Sequence, residues 1–438
     1  MDKKVYIIGA GASAAAKLPI QNNILHSIFT TKEPQLSADF MSSNNFTIKF
    51  NEKYKYFDYC RRILSLFIID NFADSHVSNC FRYLFLHEDG ESPETFKNRI
   101  LQSNEPKIIA SWDNIYECLK NIDICLEDVF TLIDKAIILK DCFQTYSAKD
   151  LINVSHSLSK CILYVISYCV NCSCDNTTIH KMANILVNKR FSSGQKSDPF
   201  SIITLNWDTL LDSCIFSECQ KYNQSHKEAK AYIDYCFYNY DLSKSIPSFI
   251  IKAMGHYNIK LLKLHGSTNW LRCSNCGRIH TNFERDITIE CLDNEKEIPC
   301  EYCEVQKRAY ENKHFLLTPT LIKNLDNLQI KNIWHNAYLD IAEAKKIIFI
   351  GYSFPMADFE LRYLLKKAIN PNTEITVILH KYDNPLLYKK SIKRNISSSR
   401  KKSFMQRIDV PYNRYKAFFP NHPIEFIYNG VENCLDRL

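Results

Sequence analysis

Two Cys-x2-Cys pairs, Cys273 with Cys276 and Cys300 with Cys303, stand 23 residues apart and constrain this chain more than any other feature. Four thiolates at that spacing suit one tetrahedral Zn2+, which would clamp two knuckles together. Turn-forming residues flank both pairs, since Gly277 follows Cys276 and Pro299 precedes Cys300. Four sulfur ligands leave no open coordination position, so the metal is expected to be structural. Among 18 cysteines some close pairs arise by coincidence, and Cys172 and Cys174, spaced Cys-x-Cys with no matching pair, are read that way. Directly ahead of the first pair, His265 ends the apolar run Leu261, Leu262, Leu264. Gly266 beside it would let a ligand approach the backbone closely. Taken alone, His265 fits a core or capping histidine as well as a chemical one.

At 438 residues with 46% hydrophobic content, the chain has room for two or three domains and a large core. Met1 to Lys4 lead straight into an apolar strand with no signal peptide, so the cysteines are expected in a reducing cytoplasm. Cys161 to Val170, the longest membrane-like stretch, is too short to span a bilayer and reads as a buried helix, so no membrane partner is expected. The formal charge of +7 is concentrated between Lys389 and Arg407, which hold eight basic residues and no acidic one. Setting those eight aside leaves 47 basic against 48 acidic residues. The segment could meet nucleic acid or an acidic partner, or stand as a solvated loop; Ser397 to Ser399 interrupt it and it lacks interleaved aromatics.

The opening VYIIGAGASAAAKLPIQ predicts a strand over Val5 to Ile8, a glycine turn, and a helix beginning near Ser13. Gly9 and Gly11 free the backbone for a phosphate, and unpaired N–H groups behind them favour an anion. No acidic residue ends a second strand about 20 residues on, as a redox dehydrogenase needs for its ribose. From Thr31 to about Arg190 the period turns helical, over Phe57 to Asn71, Trp112 to Cys125, Leu126 to Leu139 and Leu151 to Val170. Strand signals resume at Ile202, Ile203 and Leu205, followed by Asn206, Trp207 and Asp208. Asn206 can hold a ribose hydroxyl or position a water, whereas Asp208 is placed to cap the next helix. Phe315 to Thr318, Ile347 to Ser353, Glu374 to Leu379 and Ile424 to Tyr428 complete the strand set, with Asp358 and Glu360 following as ligand-type residues.

Gly9, Gly11, Asn206, His265, Gly351 and Ser353 thus all fall at carboxyl ends of predicted strands. In an open parallel sheet those ends share one edge, and ligands bind there. The expected fold is α/β: a Rossmann-like parallel sheet with a large helical insertion and a small zinc-ribbon module.

Five pieces in this order resemble the sirtuin family, and more closely its sirtuin-like NAD-hydrolysing branch in bacterial antiphage defence. They are GAGAS (Gly9 to Ser13) with Pro19, TLNWD (Thr204 to Asp208), LHGS (Leu264 to Ser267), the paired Cys-x2-Cys module, and GYS (Gly351 to Ser353). The resemblance implies a sirtuin-like catalytic domain over 1–380, with a helical insertion at 31–190 and a zinc module at 270–310. A basic segment and closing strand would follow over 381–438. It implies NAD+ as substrate and Asn206 and His265 as catalytic residues. Gly9, Ala10, Gly11, Ser13, Asp208, Gly351 and Ser353 would hold the dinucleotide.

Protein-deacylating sirtuins follow the glycine turn with Gly-Ile-Pro-Asp-Phe-Arg, and here the stretch reads Leu18, Pro19, Ile20, Gln21, Asn22. The phenylalanine and arginine that manage the nicotinamide pocket are missing, which favours an NAD+ glycohydrolase acting by NAD+ depletion over an NAD-dependent deacylase. A non-catalytic subunit binding NAD or ADP-ribose is the third reading. The resemblance further implies control by homo-oligomerisation or by a separately encoded activator, such as a HerA-type ATPase or a short Argonaute.

Overall fold

The computed structural model describes residues 2–30, 50–73, 92, 95, 117, 119, 126–170, 175–195, 197–226, 229–236, 239–241, 256–282, 300–309, 312–317, 325–356, 358–384 and 410–438. Trp112 to Cys125 apart from Glu117 and Leu119, the Cys172 and Cys174 pair, Thr318, and the basic stretch Lys389 to Arg407 lie outside the described residues.

Seven parallel strands form the main sheet, in the order β11-β10-β9-β1-β2-β5-β3. They are β1 (Lys4–Ile8), β2 (Phe200–Thr204), β3 (Ala231–Asp234), β5 (Tyr257–Lys263), β9 (Lys346–Ile350), β10 (Glu374–Ile378) and β11 (Ile424–Ile427). Continuous apolar runs make the central members: β1 reads KVYII and β9 KIIFI, with both faces covered. The chain runs outward from β1 through β2 on one side and from β9 through β10 and β11 on the other, so the order reverses between β1 and β9. That reversal is where an open α/β sheet leaves a crevice beyond its carboxyl ends.

Helices Thr177–Ser192 and Leu210–Ser225 pack on each other, as do Leu328–Glu343 and Phe359–Ala368. Their apolar sides close the sheet's core around Met182, Ile215, Ile333 and Leu365. A second core forms between helices Gln21–Thr30, Phe50–Phe72, Leu126–Leu139 and Ala148–Tyr168, with Ile28, Phe67, Val129 and Ile162 buried inside it. Ser147 opens the last of these with a capping box, taking the Asp150 N–H while Asp150 takes its own. Thr177–Ser192 begins within the stretch 31–190 but packs on the sheet, whereas Gln21–Thr30 precedes that stretch and packs in the bundle. Among the described residues no helix is long and apolar enough to cross a membrane.

A second sheet has the order β4-β7-β6-β8, from β4 (Asn239–Asp241), β6 (Gly266–Cys273), β7 (Ile279–Thr281) and β8 (Asn312–Leu316). Here the structure departs from the sequence pattern. Phe315 and Leu316 belong to β8, antiparallel to β6, and not to the parallel sheet. His265 and Gly266 turn β5 straight into β6, which opens the second sheet, and Phe315 and Leu316 follow that strand through long-range pairing with β6. The first helix also differs, starting at Ala10 instead of Ser13 and lasting only to Ala14.

Candidate functional site

Strand register gathers the candidate residues. Ile8 pairs with Thr204 and with Ile350, and Thr204 pairs with Lys263, so Ile350, Ile8, Thr204 and Lys263 form one row across four neighbouring strands. Two residues further on, the same row brings Tyr352, Ala10, Asn206 and His265 to the carboxyl edge. Asn206 and His265 therefore leave adjacent strands at equal height.

Asn206 is buried, and its amide orientation is set by the chain itself. Its Nδ2 donates to the Gly9 carbonyl at 3.1 Å and to Ser13 Oγ at 2.9 Å. Because a carbonyl can only accept, the nitrogen must face Gly9 and Oδ1 must face away. That oxygen is buried and accepts no hydrogen bond among the described residues. Ser13 passes its own proton on, donating to Asp208 Oδ2 at 2.8 Å. Asp208 Oδ1 accepts the Leu210 N–H at 3.1 Å, which is the expected role at the start of that helix. Burial pushes the Asp208 carboxyl above its ordinary value, against the pull of Lys263 and of the Ser13 and Leu210 hydrogen bonds. Lys263 is wholly buried, donates to the Asp208 carbonyl at 2.6 Å and pairs with Asp212 at 3.0 Å. The sequence pattern did not disclose this buried lysine beneath the site.

His265 is 7% exposed and is anchored by its carbonyl, which accepts the Leu317 N–H at 2.9 Å. Its Nε2 lies 3.5 Å from Oδ1 of Asp358. The other Asp358 oxygen accepts the Tyr352 hydroxyl at 2.7 Å. Asp358, a ligand-type residue by sequence, is thus the neighbour of His265. Tyr352 was not singled out, and its only sequence signal is its place between Gly351 and Ser353.

The glycines serve the chain's own approach. Gly11 N donates to Gly351 O at 2.8 Å, and Gly9 N to Ile350 O at 3.0 Å. A Cβ on Gly351 would sit 2.2 Å from Ala12 N, and one on Gly9 2.7 Å from Tyr352 Cα. The close approach at Gly266 is likewise to Phe315 O, 2.5 Å from where its Cβ would be, and not an opening for a ligand. Gly11 and Ser353 are exposed, and Ala10 and Gly351 half-buried, so the two turns meet at the open edge between β1 and β9.

The four cysteines converge as the spacing required: their sulfurs all lie within 4.8 Å of one another. Sγ of Cys273 is 3.7 Å from that of Cys303, and Cys276 stands 3.7 Å from Cys300. A tetrahedral site with Zn–S bonds of about 2.3 Å has edges of about 3.8 Å, so the donor set fits Zn2+ in size and in chemistry. β6 ends on Cys273, and Gly277, at φ +70°, turns the knuckle toward β7.

No protein-family model and no curated protein matches the chain. Among solved structures, a Sir2 enzyme from work on the mechanism and regulation of these enzymes aligns at 11% identity and a TM-score of 0.31, covering 100% of this chain and 90% of its own. A Sir2 homologue solved as its NAD complex aligns at 11% identity and a TM-score of 0.33, over 99% and 87%. A Sir2 enzyme bound to a propionylated peptide aligns at 11% identity and a TM-score of 0.28, over 86% and 80%.

Proposed function

We propose that this chain is an NAD+ glycohydrolase, cleaving NAD+ to nicotinamide and ADP-ribose, with Asn206 and His265 as its catalytic residues. The observation that carries this reading is the buried Asn206 Oδ1, which accepts no hydrogen bond among the described residues and leaves the sheet level with His265 on the adjacent strand. A carbonyl acceptor on the strand next to that of an imidazole suits a ribose hydroxyl or a water whose proton must be taken. Nicotinamide leaves as a neutral molecule from a cationic ribosyl pyridinium and needs no general acid. What remains is to stabilise an oxocarbenium-like ribose and deliver water. His265 takes the proton from the water or from a ribose hydroxyl, and Asn206 fixes the acceptor's place. Gly9, Ala10, Gly11, Ser13, Asp208, Gly351 and Ser353 are assigned to the dinucleotide, with Gly9 to Ser13 and Gly351 to Ser353 at its diphosphate and adenosine end. Zn2+ on Cys273, Cys276, Cys300 and Cys303 would staple the module after β6 and stay out of the reaction.

The motif order read in the sequence supports the same activity, with 1–380 as its catalytic unit and the cytoplasm as its place. Depletion of cellular NAD+ in antiphage defence is the role we assign. Unrestrained hydrolysis would kill the host, so control is assigned to oligomerisation or to a separately encoded partner. The missing phenylalanine and arginine after Pro19 count against deacylation.

The test is release of nicotinamide and ADP-ribose from NAD+ by the purified chain, beside Asn206→Ala and His265→Ala. Each substitution is expected to lower the rate by about 10²-fold or more. An undiminished rate in His265→Ala overturns the assignment, and release of acetyl-ADP-ribose from an acetylated peptide moves it to a deacylase.

A further inference from the structure

We propose that Asp208 is a positioning residue: through the hydroxyl of Ser13 it fixes which way the Asn206 amide faces, so that the oxygen and not the nitrogen is turned to the substrate. The inference rests on Asn206 being catalytic in the NAD-cleaving reading, and it adds the groups that set its amide.

The three residues come from two neighbouring parallel strands. Ile8 pairs with Thr204, so the short helix Ala10–Ala14 after β1 lies beside the turn Asn206 to Asp208 after β2. Ser13, Asn206 and Asp208 are 6%, 9% and 8% exposed, so little water competes for the bonds between them. Asp208 receives two donors, the Ser13 hydroxyl on Oδ2 at 2.8 Å and the Leu210 N–H on Oδ1 at 3.1 Å. A carboxylate has an accepting oxygen for each. A carboxamide has only one, and would turn its NH2 on a donor whichever way it lay. With its proton committed to Asp208, Ser13 Oγ can meet Asn206 only as an acceptor, and it takes Nδ2–H at 2.9 Å. The second Nδ2 proton goes to the Gly9 carbonyl at 3.1 Å, and the Asn206 backbone N–H goes to Thr204 Oγ1 at 3.2 Å. Every donor of Asn206 is thereby spent on the chain, and Oδ1 is the side-chain atom left for a ligand among the described residues.

The turn that carries Asn206 and Asp208 is itself held from behind. Lys263, wholly buried, donates to the Asp208 carbonyl at 2.6 Å. The Thr268 N–H donates to the Trp207 carbonyl at 2.8 Å, and Trp207 Nε1 donates to the Leu317 carbonyl at 3.2 Å. Burial raises the Asp208 carboxyl, while Lys263 favours the ionised form, which is the form that accepts from both neighbours. A reversed Asn206 amide would set its oxygen against the Gly9 carbonyl and meet a ribose hydroxyl or a water with a donor in place of an acceptor. Ser13 and Asp208 thus serve the dinucleotide through Asn206, the residue that touches it.

The test is the Asn206 side-chain amide in the full chain, read by proton–nitrogen correlation NMR with asparagine labelled by 15N. Asn206→Ala identifies its two proton signals. Both protons are expected to exchange with water at least about tenfold more slowly than those of exposed asparagines. Ser13→Ala and Asp208→Asn are each expected to shift one of the two signals and speed its exchange, while the proton given to Gly9 keeps its place. In NAD+ cleavage each is expected to lower kcat/KM by about tenfold, and the two together also by about tenfold, because they break one relay. Fast exchange of both amide protons in the unaltered chain overturns the proposal without either relay residue being altered. Amide signals unmoved by Asp208→Asn overturn it too, as do losses that multiply to about 10²-fold in the double variant, which would make Ser13 and Asp208 separate contacts. Because the amide is read without NAD+, a chain that shows the protected amide and its response to Asp208→Asn yet cleaves no NAD+ sinks the NAD reading and leaves the positioning role standing.

Discussion

Near the amino ends of the central strands, Lys3 and Lys260 share Asp198 and Asp340, and Lys3 also reaches Glu343. At the carboxyl ends, Asn206 spends its amide on Gly9 and Ser13 and keeps Oδ1 unengaged among the described residues, and His265 Nε2 lies 3.5 Å from Asp358 Oδ1. Both regions bury polar side chains from neighbouring strands. The first is closed on itself, each cation answered by carboxylates, as burial of charge demands. The second also holds carboxylates, Asp208 and Asp358, but leaves the Asn206 carbonyl oxygen unengaged among the described residues, which suits a place where a ligand supplies that partner. Loss of a group should therefore cost stability at one end and chemistry at the other.

Removal of the metal should give the largest effect and show how far the carboxyl end depends on its module. Cys273, Cys300 and Cys303 form a small buried cluster separate from both larger cores. A chelator, or Cys300→Ser, is expected to take the zinc content from one per chain to none and to melt β6 and β7. Structural Zn2+ can supply about 10 kcal/mol locally. The main thermal transition of the seven-stranded sheet should persist, and its disappearance would tie the module to the whole fold. Next in size is Asp340→Ala, which leaves two buried lysines sharing one fewer carboxylate. Denaturant unfolding should show a loss of about 3–5 kcal/mol, while NAD+ turnover per folded molecule holds. A fall in turnover at full stability would erase the distinction between the ends. Gly351→Ala should blur it by about 2 kcal/mol or more, since its φ of +59° and the 2.2 Å contact with Ala12 N make this carboxyl-end residue structural as well.

Much of this division was legible in the residues. Apolar runs such as Val5 to Ile8 and Ile347 to Ile350 specify strands buried on both faces, and paired cysteines specify their own convergence. The row holding Asn206 and His265 followed from each standing just past such a run. Two things were not legible. β8 joins the second sheet because β5 turns at Gly266 into β6, a long-range choice that Phe315 and Leu316 do not encode. Asp358 comes within 3.5 Å of His265 after a turn in which Phe354 stands at φ +58°, packed on Tyr415 and Phe418, and such a backbone angle has no local signature. The glycines show a third case: they stand past the carboxyl ends of strands, and the close approach seen among the described residues is of one part of the chain to another.

The finest discrimination between the two ends is in acid, because their carboxyls are displaced in opposite directions. Burial raises Asp198, but Lys260 and Lys3 outweigh it and hold it below its ordinary value. Its contribution is present above the unfolded carboxyl range, about pH 4, and is lost as pH falls through the lower folded value. Asp208 is displaced upward, chiefly by burial. A raised carboxyl has the reverse sign: the native state holds its proton more tightly, so stability falls as pH rises from about 4 toward the folded value. Denaturant midpoints measured from pH 6 down to pH 2 should therefore respond differently to two substitutions. Asp198→Asn is expected to flatten the acid limb below about pH 4, and Asp208→Asn to remove the opposing gain that sets in above it. Parallel acid limbs in both variants would mean that the two ends hold their carboxyls alike, and the contrast between a closed ionic network and a site with an unengaged acceptor would fail.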